Sequence, residues 1–405
     1  MSEKLAEVYE KYDIEILESR RGRGATILTT KEGYRILEPF RGSVSRLEQE
    51  YVLKDLLKEE GFEDMDLLIK NCEGELITYD RYHQPYVMKK HYEGEECDMR
   101  NLSDVVRAIE KLSEFHVCGK KVAMRFRREW ENAKHRKEQE QIEEIKQALQ
   151  DEDELEQVAR VYGMSPAVLR ELMVEEESHE ETQKKGNEHT TENRIEHQTQ
   201  YNNVVLDTFI RHNRELRKIR RFVGGVKRKN DFENLFLKVF PEYYNKGLRC
   251  EELFGQVLNV EEDQDVKDMF SRHYGICHGN YNQHNIIMGD KTEAIVHFER
   301  FSKGNQLEDL YQFARKVMEK NHFDYEMLEK IMDTYANRIE LSKEDYRYMY
   351  VLFSYPEKFW KIANSYYNTN KAFLSPKYIE KLNTVIEQER EKSEMLLQYS
   401  SFHLQ

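Results

Sequence analysis

His278-Gly279-Asn280-Tyr281-Asn282-Gln283-His284-Asn285, followed by Val296-His297-Phe298-Glu299, sets the architecture to expect of this chain. The first eight residues run into an apolar pair, Ile286-Ile287, and a turn at Gly289-Asp290-Lys291 leads into Ala294-Ile295-Val296. The pattern predicts a loop, a β-hairpin and a charged strand end. Such a frame can hold a nucleotide, a metal and an acceptor hydroxyl together.

The flanking sequence alternates between two regimes. Residues 1–92 read as a β-rich lobe, with strands over Tyr12–Leu28 and Tyr34–Leu37 and turns at Arg21-Gly22-Arg23-Gly24 and Lys31-Glu32-Gly33. Ser43–Glu60 reads as a helix capped by Ser43, with an apolar stripe of Leu47, Tyr51, Leu53, Leu56 and Leu57 and a stop at Gly61. Strand-like runs at Leu67–Ile69 and Glu75–Tyr79 precede Pro85-Tyr86-Val87-Met88, which reads as a linker. Residues 93–405 then read as a helical lobe, interrupted by the loop region at 277–301. Leu102, Val105, Val106, Ile109, Leu112 and Phe115 mark one helical face.

Composition narrows the function classes. The chain has 405 residues, long enough for two lobes, and a formal net charge of −14 that argues against general nucleic-acid or anionic-membrane binding. No run approaches the roughly 18 apolar residues of a membrane span. Five scattered cysteines, never in a Cys-x-x-Cys pair, fit a reducing compartment and no structural zinc. Residues 136–200 carry 18 acidic and 8 basic side chains, a net of −10, and read as a charged insertion with a mobile tail around Ser178–Gln200. Within it, Glu156–Val174 has a helix-turn-helix outline. It is taken as a plain helical hairpin, because its acidic flanks would repel phosphates.

The loop and strand end resemble those of the aminoglycoside phosphotransferase and choline kinase group, where the loop reads His-Gly-Asp-x-x-x-x-Asn and the strand ends Asp-Phe-Asp or Asp-Phe-Glu. Three further segments are similar to the CotS family of spore coat proteins from spore-forming Firmicutes. They are Gly33-Tyr34-Arg35-Ile36-Leu37-Glu38-Pro39-Phe40-Arg41-Gly42-Ser43, the run from Phe209 to Lys218, and the run from Tyr355 to Tyr367. The resemblance implies an α+β, bilobal protein-kinase-like fold, with a small β-rich N-lobe and a large helical C-lobe. It also implies a place in the mother-cell cytoplasm and then in the spore coat, with other coat proteins as partners.

By the same resemblance, Asn280 stands at the catalytic base and Asn285 at the second metal ligand. His297 stands at the main metal ligand, and Glu38 at the lysine that steadies nucleotide phosphates. Asparagine keeps the shape of aspartate without its basicity, and loss of a general base costs roughly 10²–10⁴ in rate. Imidazole is a poor ligand for Mg²⁺, which prefers hard oxygens. Glu299, two residues on, offers a carboxylate on the same side of the strand. His297 with Glu299 could alternatively hold Zn²⁺ or Mn²⁺. A glutamate about 4 Å from a phosphate repels it by roughly 4 kcal/mol at an effective dielectric near 20. Micromolar nucleotide binding is worth only about 8 kcal/mol in total. Arg35 is offset by an odd number along its strand and points away. Glu48 or Glu50, the helix partner of the missing lysine, then reads as a surface carboxylate.

His278 and Gly279 are read as shaping the catalytic loop, and Asp309 as capping the next helix or anchoring that loop. The losses thus fall on charge-handling positions and the survivors on structural ones. The resulting expectation is a pseudokinase, a scaffold without the ATP and Mg²⁺ of its superfamily. Its alternatives are a small-molecule kinase with a rearranged site and a module that senses a ligand without turnover. The aromatics Phe359, Trp360, Tyr366, Tyr367 and Phe373 are candidate contact surface, with core packing as the competing reading.

Overall fold

The structure is a computed structural model and describes residues 5–22, 24–148, 193–257, 270–290, 292–368 and 377–404. Arg23, Lys291, Phe373, the 156–174 hairpin and most of the 136–200 segment lie outside them. The chain divides into two compact units, one of Met1–Met124 with His197–Gln405 and one of Arg125–Glu196. The first carries the lobes and the loop region.

A short helix α1 (Ala6–Tyr9) precedes three antiparallel strands, β1 (Ile16–Arg21), β2 (Thr26–Thr30) and β3 (Gly33–Pro39). Gly22 donates its N–H to the Ala25 carbonyl at 2.9 Å between β1 and β2. Helix α2 (Val44–Glu59) follows, with Ser43 at the N-cap position but without a side-chain cap bond. Gly61, at φ +90°, closes it in the left-handed conformation that glycine adopts freely. Two short strands come next, β4 (Leu68–Ile69) and β5 (Thr78–Tyr79).

Pro85–Met88 is no linker. Residues Pro85–Lys90 form β6, which pairs with β3, β4 and β5 and completes a sheet of order β1-β2-β3-β6-β4. The proline sits at the first strand residue, where its missing N–H is tolerated. Strand alternation sends Met88 and Leu37 to one face, against Val8, Tyr9 and Tyr12. It sends Val87 to the other, against Leu47 of α2 and Leu76. Glu38 and Lys89 share this second face, beneath α2.

A strand β7 (Glu95–Glu96) leads to α3 (Leu102–Ala148), a 47-residue helix. Helices α4 (Asn193–Gly225) and α5 (Asp231–Val257) follow. Residues 193–200 are therefore helical, where the sequence reads as tail. Strands β8 (Tyr274–Cys277), β9 (Ile286–Met288), β10 (Glu293–Ile295) and β11 (Ser302–Asn305) build the loop region. β9 and β10 form the expected hairpin, with β7 along its edge. Gly94, before β7, runs so close to β9 that a Cβ there would lie 2.4 Å from the Met288 carbonyl oxygen. The chain then runs through α6 (Leu307–Lys320), α7 (Tyr325–Ala336), α8 (Lys343–Ser354), α9 (Glu357–Asn368), α10 (Lys377–Glu387) and α11 (Glu389–His403).

The two C-lobe segments singled out in the sequence lock together. Phe209 stacks on Tyr355 at 4.2 Å between ring centroids, and His212 stacks on Trp360 at 3.3 Å. Asn213 accepts from the Tyr355 hydroxyl at 3.0 Å, and Glu215 accepts from the Trp360 indole at 2.8 Å. Phe359 and Tyr366 are buried in the core of α4, α5, α9 and α10, with Trp360 and Tyr367 packed against it. Core packing is the outcome for these four aromatics.

Candidate functional site

The catalytic-loop region is built by backbone geometry first. Gly279 has φ +73°, and a Cβ there would lie 2.2 Å from the Arg300 carbonyl oxygen, so only glycine fits. Asp309 of α6 accepts the N–H groups of His278 at 2.5 Å and of Gly279 at 2.9 Å. It anchors the loop and does not cap the helix, whose N-cap is Gln306. The buried His278 ring donates Nε2–H to the Val296 carbonyl at 3.0 Å and accepts the Asn280 N–H at Nδ1 at 3.3 Å. Both ring nitrogens are engaged in the neutral tautomer. Burial also lowers its pKa, so His278 is a structural post of the loop.

Three asparagines close the loop on itself. Asn282 and Asn285 each donate a side-chain N–H to the Asn280 carbonyl, at 2.7 and 2.9 Å. Asn282 also reaches the Asn280 side-chain oxygen at 3.2 Å. Asn280 thus presents a carboxamide already engaged within the loop, and Asn285 spends its amide on backbone.

His297 and Glu299 are not on a strand. His297 takes a left-handed conformation, φ 66° and ψ 63°, unusual for a residue with a Cβ. Phe298–Arg300 form a 3₁₀ turn. This geometry brings the Glu299 carboxylate to 3.4 Å from His297 Nδ1, closer than the strand spacing implies. The His297 N–H is held by Asp66 at 3.1 Å. Arg46 of α2 donates to the carbonyls of Glu299 and Phe301 and lies over the Phe301 ring at 3.7 Å, tying α2 to the same turn.

Sequence reading misses the centre of the site, a buried ion network. Lys89 is 3% exposed, and its ammonium lies 3.1 Å from Glu299, 3.5 Å from Asp66 and 3.7 Å from Glu38. Lys54 of α2 bonds Glu50 at 2.5 Å, and both the carboxylate and the carbonyl of Asp66 at 2.7 Å. Glu50 is buried, contrary to its reading as a surface carboxylate. Burial works against both charges at the centre, yet opposite charges win. Lys89 is held above the usual lysine range by Asp66, Glu50, Glu299 and Glu38. Asp66 is held below the usual carboxylate range by Lys54 and Lys89. No spacing rule points to Lys89. The one available signal is a lysine ending an apolar strand run.

These residues do not fit the metal and nucleotide of the superfamily. Mg²⁺ requires several hard oxygen ligands near octahedral positions. The region's carboxylates, Glu299, Asp66 and Glu38, are already gathered around the Lys89 ammonium, and Glu299 also pairs with His297. Among the described residues, no group of three or more His, Cys, Asp or Glu is arranged to hold a metal ion. Glu38, which the sequence resemblance sets at the nucleotide-lysine position, is a carboxylate, and Lys89 beside it is enclosed by carboxylates.

The network carries a pH signature. The hydrogen bond to Glu299 raises the His297 pKa above 6.5 despite partial desolvation. Partial desolvation alone would raise the Glu299 pKa, but His297 and Lys89 hold it well below 4.5. The His297 contribution is therefore complete below pH 6.5 and is lost as pH rises through its folded-state value. The Glu299 contribution is complete above 4.5 and is lost as pH falls through its low folded-state value. The melting-temperature difference between wild type and His297→Gln should be largest between pH 4.5 and 6.5 and shrink toward pH 9. A difference that stays flat across this range would show the pair to be unlinked.

Comparison with known proteins places this geometry. Residues 215–399 match the family model described as "Spore coat putative kinase YutH". The match takes in the loop region and the Tyr355–Tyr367 segment and bears out the spore coat kinase-like resemblance. No curated protein matches the chain in sequence. An aminoglycoside phosphotransferase from Alicyclobacillus acidocaldarius has a similar structure, with a TM-score of 0.67 and 14% identity over 97% of this chain and 94% of that one. Spectinomycin phosphotransferase with bound AMP aligns at a TM-score of 0.49 and 11% identity, over 97% of each chain. Choline kinase from Cryptosporidium parvum aligns at 0.45 and 10%, over 98% and 94%. The first establishes the phosphotransferase fold; the other two add no weight.

Proposed function

We propose that this chain, with its phosphotransferase fold and its C-terminal match to a spore coat kinase-like family, is a catalytically inactive kinase-like scaffold of the spore coat or its assembly. It would work in the mother-cell cytoplasm and then in the coat, with other coat proteins as partners. The observation that carries the reading is Lys89. Its buried ammonium is held by Glu38, Asp66 and Glu299, carboxylates of the chain itself. A nucleotide phosphate placed beside Lys89 would be repelled by Glu38, Asp66 and Glu299. The asparagine-closed loop supports the same reading, since it offers no base for an acceptor hydroxyl.

Calorimetric titration of ATP, ADP and adenosine with Mg²⁺, Mn²⁺ or Zn²⁺ tests it. No saturable heat and no thermal shift is expected up to about millimolar ligand, where binding is worth only about 4 kcal/mol. Phosphotransfer from Mg²⁺-ATP that disappears on changing Asn285 or His297 would overturn the proposal. The second reading, a small-molecule kinase with a rearranged site, has one observation in its favour: Lys89 brings an ammonium to the Glu299 turn from β6 rather than β3. On that reading, nucleotide binding would be present in the wild type and absent in Lys89→Met.

A further inference from the structure

Helix α4 has two faces of opposite character. Val205, Phe209, His212, Leu216, Ile219 and Val223 are buried, at spacings of four and three, on the side that meets the core. Arg211, Arg214, Arg217, Lys218 and Arg221 are exposed on the opposite side, and Lys227 and Arg228 continue the surface just past the helix. None of these seven cations has an ion pair among the described residues. Residues 211–229 hold nine basic side chains and one acidic one, a net of +8 in a chain of net −14. The single acid, Glu215, is turned away to the Trp360 indole. Exposed like charges crowded on about three helical turns repel one another, and among the described residues no carboxylate pairs with them.

We propose that this basic face docks the acidic segment of a second copy of the chain, residues 136–200, so that copies associate head to tail. The complementarity is explicit in the sequence: net +8 on one side and net −10 on the other. Arginine dominates the face, and its planar fork pairs carboxylates bidentately. The two surfaces differ, so the contact is heterologous; unless the rotation closes a ring, it leaves a free face at each end and extends the assembly. A nucleic acid or an anionic membrane would also meet the −10 segment and the overall negative charge, which disfavours both. The inference is independent of whether the cleft binds nucleotide.

Sedimentation velocity of the nuclease-treated full chain decides it. At about 50 mM salt, where screening is weak, the sedimentation coefficient should rise with protein concentration; at about 500 mM it should fall to the monomer value. The Arg214→Gln/Arg217→Gln/Lys218→Gln/Arg221→Gln variant should stay monomeric at both. A control that neutralises the exposed Lys58, Lys330 and Lys381 should associate like the wild type. A wild type that is monomeric at low salt overturns the proposal, including the case in which the acidic segment is satisfied within its own chain. Association that survives the fourfold variant, or is equally lost in the control, overturns it too.

Discussion

Lys54→Met is expected to lower folding stability by about 3–5 kcal/mol, the range for removing one partner of a buried ion pair. The Lys54 ammonium makes three bonds, to Glu50, to the Asp66 carboxylate and to the Asp66 carbonyl, at 2.5, 2.7 and 2.7 Å. Methionine matches its apolar stem but leaves Glu50, 1% exposed, with no cation at bonding distance in the network. Asp66 would retain Lys89 at 3.5 Å and so lose less. Urea denaturation of wild type and variant reads the difference. Adding Glu50→Gln to Lys54→Met should recover part of the loss, because the stranded charge is then removed. A single-variant loss below about 1 kcal/mol would mean the network is hydrated and open, and the enclosure of Lys89 would fall with it.

What the sequence exposes and what it hides divide along a physical line. Local signals were legible: the hairpin after the catalytic loop, the α2 stripe and Gly61 as a helix stop. Each depends on backbone chemistry or short-range periodicity. The loop's phosphotransferase character was legible too, because His278, Gly279 and Asn285 keep a fixed spacing. Hidden were the features decided by long-range packing. Pro85 disguised the start of β6, and with it the face on which Lys89 lies. Glu50 reads as a surface carboxylate until Lys54 and Asp66 are brought against it. His297 and Glu299 read as a strand end, whereas a left-handed residue and a 3₁₀ turn fold them onto each other. The aromatic C-lobe residues Phe359 and Tyr366 offered two readings, and only the packing of α9 on α5 selects the core.

Restoring the missing lysine alone is expected to damage the protein. Glu38 and Lys89 are diagonal neighbours on one face of the β3–β6 pair, since Glu38 faces Val87 and Ile36 faces Lys89. Glu38→Lys replaces an attraction at 3.7 Å with a repulsion between two ammonium groups beneath α2. Unit charges about 4 Å apart interact by roughly 4 kcal/mol at an effective dielectric near 20; Glu38 is partly solvated, so a loss of about 2–4 kcal/mol is expected. No nucleotide affinity should appear, because Asp66 and Glu299 remain to bind whichever ammonium stays beside them. The exchange Glu38→Lys/Lys89→Glu restores one cation and one anion to the same two positions and should recover most of the stability. A double-mutant cycle on these variants measures the coupling directly. Little or no coupling would mean that Glu38 and Lys89 do not recognise each other. If instead Glu38→Lys alone conferred metal-dependent nucleotide binding at full stability, the cleft would be an open kinase site short of one side chain. The scaffold reading would then give way to a kinase whose chemistry is only one substitution deep.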